Sequence, residues 1–570
     1  MSHADRAMQR FDESVGILPP LNEDVAALQV EPLTPGVFRM AVSLLWVLFL
    51  LWIAVVTWAR YYGVNPDGFA YIGIARLIKL GAWHDAVNAY LGPLISWLLA
   101  LLSLFVPELL ASRLIVASAS VVVALVSWFI LKESLQNKTL RYIAAVTIML
   151  APAMIDTTAL ITPDLLLSIF VLLAFYYGMK FLERAEYKSA ALAGLSWGLA
   201  YYAKSFGFVF APIFFMLLWL LAVLPFERRR LMIVSKPLIL GLSVFVIVSM
   251  PWLTALHYKY GHWMSGSAGK YNLFYQYHGI YPQKPRPIPP DAPWLNPQLF
   301  ARDNNMAGYW DPCPPGDIIY SYSLADLNPF LQLKTFLTNL CLLLPAGLWG
   351  MFGLGCLPII IGLVLCLPTL KAEKPMLLIA LGCLFWVLMY LAVILEYRYL
   401  TPVVPLLVLL ACKGYYAAFL KLAQNPSAPG TNCKLRLLHI LLLIQVITTL
   451  IWGGSRVIHY VIRNQQLTSK QVQLAYDLAR VDGVTNLAQT YSCKVTGCCL
   501  AYIANIRYAG QIVPERHKGA LLYVLRKGNI SHLITRAGEI DEAHLAGLQF
   551  VRDFSAEHKE YSLYKVLYDD

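Results

Sequence analysis

The sequence predicts a mainly α, polytopic membrane protein with interfacial helices in its first outer loop and a small C-terminal α/β domain. Three observations carry that prediction. Of the 570 residues, 58% are hydrophobic and 14% charged, whereas a soluble domain is roughly half apolar and a quarter charged. About eleven stretches approach the roughly 20 apolar residues needed to cross a hydrocarbon core about 30 Å thick. The short basic loops between these stretches all fall on one face, as the bias of Lys and Arg toward cytoplasmic loops requires.

Residues 1–36 form a polar tail without the charged, apolar and cleavage regions of a signal peptide, so the first span is expected to be retained. The spans read as 37–58, 109–131, 141–157, 164–182, 189–204, 206–225, 237–256, 340–369, 376–395, 400–422 and 436–454. Residues 91–106 are apolar but short, which reads as a helix lying at the interface. Counting them as a full span would invert every later loop and carry Arg228, Arg229 and Arg230 outside. With them interfacial, the inside loops hold Lys132, Lys138 and Arg141, then Lys180, Arg184 and Lys188, then the Arg228 run with Lys236. Lys371, Lys374, Lys413, Lys421, Lys434 and Arg436 follow on the same side. The expected setting is a bacterial inner membrane, with the N-terminus cytoplasmic.

This division gives a membrane domain over 37–455, with outer loops at about 60–108 and 257–335, and a soluble extracytoplasmic domain over 456–570. In the second outer loop, the prolines clustered in 281–315 remove donors and fix φ, favouring a semi-rigid loop. The C-terminal segment alternates short strand patterns at 484–491, 532–535, 550–554 and 561–566 with helical patterns at 471–480 and 518–526.

The net charge of +12 is topogenic on this reading, and no basic-aromatic array points to nucleic acid. Cys341, Cys356, Cys366, Cys383 and Cys412 lie in apolar runs, as buried small hydrophobes do. Cys493, Cys498 and Cys499 cluster in polar sequence, where an oxidising compartment would allow a disulfide. The pairing stays open, with Cys313 a further partner.

Two motifs share one grammar. Asn65-Pro66-Asp67 precedes the amphipathic run 68–80, and Thr162-Pro163-Asp164 precedes the apolar run 165–180. Each offers a capping residue, a proline at the first helical position and an acid in the first turn. Either acid alone could merely complement a helix dipole. Both fall at the outer face, where two converging carboxylates suit hydroxyl binding and proton abstraction. Lys204 and Arg398 lie at the same face, against the positive-inside bias. Lys204 could snorkel and Arg398 could pair with Glu396, but ionisable groups in apolar surroundings are candidate functional groups.

Taken in order, N-P-D-G-F-A-Y at 65–71, T-P-D-L-L-L at 162–167, A-K-S-F-G at 203–207 and R-Y-L-T-P-V-V-P at 398–405 resemble the GT-C glycosyltransferases. The likeness is to the branch of the protein O-mannosyltransferases and lipid A aminoarabinose transferases, and spans about 37–405. It implies transfer of a sugar from a polyprenyl-phosphate-linked donor to a lipid, glycan or protein acceptor outside the cytoplasm. Asp67 matches the acid taken as catalytic base and Asp164 the second acid of the site. Lys204 and Arg398 match positions near the donor phosphate. Mannosyltransferases of this branch commonly carry Asp-Glu where this chain has Asp67-Gly68, and the W-W-D motif of oligosaccharyltransferases is absent.

The residues themselves suit the chemistry. Such a donor needs a base for the acceptor hydroxyl and fixed positive charge at the leaving phosphate, and a single displacement would invert the anomeric centre. Tyr71, Tyr397, Tyr399 and Trp263 are candidate substrate-binding side chains, Trp263 equally an interfacial aromatic. His84, His257, His262 and His278 sit in outer loops without a ligand spacing, so no metal residues are assigned and a divalent ion stays open. The competing class is a secondary transporter or flippase of a lipid-linked or anionic substrate, which would place polar groups near the midplane of two related halves. Here they gather at one face.

Overall fold

A computed structural model describes residues 34–224, 228–278, 328–370, 373–424 and 431–481. Beyond these it describes residue 483 and the segments 485–490, 507–512, 525–526, 531–536, 548–556 and 559–567. The tail before residue 34, most of the Pro-rich loop with Cys313, and Cys493, Cys498 and Cys499 lie outside the described residues.

Helix α1 (Pro35–Ala59) begins behind Thr34, whose side chain accepts from the Val37 N–H at 3.4 Å. Two short helices follow in the first loop, α2 (Pro66–Lys79) and α3 (Trp83–Ala86), and then α4 (Leu94–Leu102). With nine residues, α4 rises only about 13 Å at 1.5 Å per residue, too little to span. The bundle continues through α5 (Glu108–Ser134), α6 (Lys138–Met149), α7 (Pro152–Ala159), α8 (Asp164–Arg184), α9 (Tyr187–Ala203), α10 (Phe206–Val223) and α11 (Arg228–Tyr260). After α12 (Ala268–His278) come α13 (Pro329–Leu342), a π-helical turn (Leu343–Leu348), α14 (Trp349–Phe352), a 3-10 turn (Gly353–Gly355) and α15 (Cys356–Cys366). The rest comprises α16 (Lys374–Val393), α17 (Tyr397–Leu400), a 3-10 turn (Thr401–Val403), α18 (Val404–Ala423) and α19 (Thr431–Ala479).

Among the described residues, ten helical stretches of 18 or more residues are apolar enough to cross a membrane, with α6 and α7 counted as one. Helix α9 has 17 residues and packs against α8 and α11, filling the remaining place in the expected order. Proline at the start of α7 removes a donor, so the ladder breaks after Leu150. Gly453 of α19 crosses there: a Cβ on it would sit 2.4 Å from the Leu150 carbonyl oxygen.

The C-terminal sheet has the order β2-β1-β3-β5-β4, with β1 (Asn486–Thr490), β2 (Arg507–Ile512), β3 (His532–Arg536), β4 (Leu548–Ala556) and β5 (Lys559–Val566). β1 lies parallel to β2 and β3, whereas β5 is antiparallel to β3 and β4. Strand β2 is not among the four strand patterns that the sequence offers. Helix α19 also runs unbroken through residue 455, the expected domain boundary, so the last span and the lead into the sheet are one rod.

The membrane core is aromatic at its centre. Trp197 is fully buried among Phe175, Phe210 and Phe214, with ring centroids 5.3–6.5 Å apart. Close helix contact depends on glycine, since lipid offers no hydrophobic drive for helices to associate. A Cβ at Gly194 of α9 would lie 1.9 Å from the Gly241 carbonyl oxygen of α11. Overpacking costs about 1–3 kcal/mol, so Gly194→Leu should lower the melting temperature of the detergent-solubilised chain. Leu195→Val, at a position 37% exposed, should leave it nearly unchanged.

Candidate active site

Asp67 and Asp164 stand in the first turns of α2 and α8, as the shared grammar predicts; Asn65 holds the cap position of α2, but its side chain makes no capping bond. The Asn65 Oδ1 instead accepts the Ile161 N–H at 2.8 Å, and Pro163 takes the cap position of α8. Asn65 therefore bonds one motif to the other. Fully buried Arg113 of α5 reinforces the junction by donating to the carbonyl oxygens of Gly63 and Ala159, each at 2.9 Å. Gly68 lets the loops meet, because a Cβ there would come within 2.9 Å of Ile161 Cβ and Val64 Cγ1. That contact explains why glycine follows Asp67.

Three ion pairs form above this junction, two of them on Arg398. Arg398 of α17 donates through Nη1 to Asp67 Oδ2 at 3.0 Å and through Nε to Glu396 Oε2 at 2.6 Å. Lys204, in extended backbone after α9, donates to Asp164 Oδ1 at 2.9 Å. Tyr399 joins the pairs. The Lys204 ammonium lies 3.8 Å and the Arg398 guanidinium 5.0 Å from its ring centroid. Behind it, Tyr390 stacks at 5.2 Å, and Phe206 stacks on Tyr390 at 4.3 Å. Gly92 brings the first loop against the Lys204 turn, where a Cβ would lie 2.2 Å from the Ala203 carbonyl oxygen.

Exposure separates the acids. The Asp164 side chain is 1% exposed and that of Asp67 28%, so of these two acids Asp67 is the one open to solvent, while Glu396 on the other side of Arg398 is 36% exposed. Tyr71 is buried beside them, and burial together with the charges of Asp67 and Asp164 holds its hydroxyl neutral, with a pKa well above the ordinary value. It can donate a hydrogen bond but not serve as base. The other two substrate candidates have partners of their own. Tyr397 faces Asp156, and Trp263 stacks on His257 with centroids 4.4 Å apart. Among the described residues, no group of three or more His, Cys, Asp or Glu side chains could hold a metal ion.

The comparisons with known proteins match this architecture. A family model described as dolichyl-phosphate-mannose-protein mannosyltransferase matches residues 91–254. The crystal structure of ArnT from Cupriavidus metallidurans in the apo state superposes with a TM-score of 0.52 at 14% identity, covering 91% of this chain and 97% of that one. This chain has the GT-C glycosyltransferase fold. ArnT bound to undecaprenyl phosphate gives 0.49 at 13% identity over the same shares, 91% and 97%. The mycobacterial arabinofuranosyltransferase AftD gives 0.48 at 14% identity, covering 92% of this chain and 42% of that one. No curated protein matches by sequence.

Sequence reading missed Asn65 as a bridge and Arg113 as a clamp. The available signal was an arginine inside the apolar run 109–131. The burial of Asp164 gives a stability prediction. Removing Lys204 strands a buried carboxylate, and breaking a buried pair in this way costs on the order of 3–5 kcal/mol. Removing the Asp164 charge leaves a lysine that is 23% exposed and can reach water. Lys204→Ala should therefore melt at a lower temperature than Asp164→Asn, and equal melting temperatures would contradict this asymmetry.

Proposed function

We propose that this chain transfers a sugar from a polyprenyl-phosphate-linked donor to a hydroxyl acceptor at the outer face of a bacterial inner membrane. The observation that carries the reading is the paired constellation of Asp67 with Arg398 and Asp164 with Lys204 at one end of the helical bundle. The fold shared with ArnT, and a family model named for an activity on dolichyl-phosphate-mannose, support the same class. Gathering of the polar groups at one end, with the large loops and the sheet following from it, favours an interfacial enzyme over alternating access.

In this mechanism the donor phosphate takes up the Arg398 and Lys204 donors, and Arg398 exchanges Asp67 for a phosphate oxygen. Asp67 is thereby released to accept the proton of the acceptor hydroxyl. The acceptor oxygen forms a bond to the anomeric carbon as the bond from that carbon to the phosphate oxygen breaks. The electron pair leaves with the phosphate, whose growing charge meets the two cations. One displacement inverts the anomeric configuration. Asp164 remains buried and holds Lys204 in place, and Tyr399 supplies a ring face to both cations.

An amide at position 67 cannot take the proton, and loss of a general base costs roughly 10²–10⁴-fold. Purified Asp67→Asn should lose turnover by that order while still binding the lipid phosphate. Turnover near the wild-type rate would remove Asp67 from the mechanism.

A further inference from the structure

We infer that Asp156 is a positioning residue that sets the direction of Arg398 through Tyr397 and couples it to the helix leading into the C-terminal sheet. The donor reading above enters only in the functional consequence. Tyr397 and Arg398 are neighbours on α17, yet they point to different partners, Tyr397 to Asp156 and Arg398 to Asp67. Helix α17 is the first turn of a helical run that continues through the 3-10 turn 401–403 into α18, and a first turn has fewer backbone bonds to hold it than the turns that follow. Its side-chain anchors add to that hold.

The anchors converge on α7. Asp156 lies under Tyr397, and one turn further on Thr401 Oγ1 meets Thr157 Oγ1 at 3.2 Å. From the opposite side α14 closes on Tyr397, since a Cβ at Gly350 would sit 2.8 Å from the Tyr397 Cβ. Asp156 is 1% exposed, and a buried carboxylate needs donors. Two come from α19: the Tyr460 hydroxyl at 2.8 Å and Arg456 Nε at 3.5 Å. Arg60 lies 5.6 Å from the Tyr460 ring centroid, and His459 adds its field nearby. Helix α19 continues from these residues to Ala479, shortly before β1, and also packs against β4. A shift of that rod would change the donors of Asp156, then the seat of Tyr397, and so the division of Arg398 between Glu396 and Asp67.

The test uses the full chain in lipid nanodiscs, with Tyr397→Phe, Asp156→Asn and Tyr460→Phe. Phenylglyoxal modification of Arg398, followed by peptide mass spectrometry, reports how firmly that guanidinium is held. Binding of undecaprenyl phosphate and the melting temperature are measured on the same samples. Tyr397→Phe and Asp156→Asn should both speed modification of Arg398 severalfold. They should weaken undecaprenyl phosphate binding roughly three- to tenfold, the worth of one hydrogen bond. Tyr460→Phe should move both readings the same way by less, with melting little changed. An Arg398 rate at the wild-type level in Tyr397→Phe overturns the inference, and that variant decides alone if Asp156→Asn fails to fold. Failure of the donor reading looks different: wild-type chain would bind no undecaprenyl phosphate while Arg398 reactivity still responded to Tyr397→Phe, which supports the positioning role.

Discussion

Burying a polar group inside a helical bundle costs less when a protein group bonds it, and each such bond specifies a neighbour. The buried run 156–164 uses this constraint repeatedly. Asp156 bonds Tyr460 of α19, Thr157 meets Thr401, and Thr158 meets Ser120 of α5 at 2.8 Å. The Ala159 carbonyl takes Arg113, the Ile161 N–H takes Asn65, and Asp164 takes Lys204. Helices far apart in the chain are thereby bonded to one short segment. Both acids and both cations of the site stand on or beside that segment, and their geometry follows from it.

The charges follow a second logic. Asp67, Glu396 and Asp164 lie against Arg398 and Lys204, and each charge offsets part of the cost of desolvating its partner. Pairing also stores the site in a neutralised form. On the proposed reading, an incoming phosphate would compete with the carboxylates for donors that are already placed, Arg398 giving up Asp67. The difference in exposure between Asp67 and Asp164 suits the proposed division of labour: the more open acid takes the proton once Arg398 releases it, and the buried one holds Lys204.

Much of this was legible in the chain. Apolar runs gave the order of the spans, and the short run 91–106 holds a helix, α4, too short to count among them. Asp67 and Asp164 were found through their shared motif, and Lys204 and Arg398 because charged residues stand out in apolar sequence; the structure pairs Asp67 with Arg398 and Asp164 with Lys204. What sequence could not supply was direction. Tyr397 and Tyr399 flank Arg398 alike in the sequence, yet one turns to Asp156 and the other under the cations. Asn65 looked like a cap because capping is local, whereas its true partner is nearly a hundred residues away. Strand β2 and the unbroken run of α19 were hidden for a similar reason, since pairing and helix continuity depend on tertiary neighbours more than on local pattern.

The central claim is that Lys204 and Arg398 receive a lipid phosphate and thereby free Asp67. A cryo-EM structure of the chain in a nanodisc containing undecaprenyl phosphate tests it most directly. The account predicts phosphate oxygens within hydrogen-bonding distance of Lys204 Nζ and the Arg398 guanidinium, with the contact between Arg398 and Asp67 opened. A phosphate seated away from both cations, or an intact pair between Arg398 and Asp67 beside a bound phosphate, would contradict it.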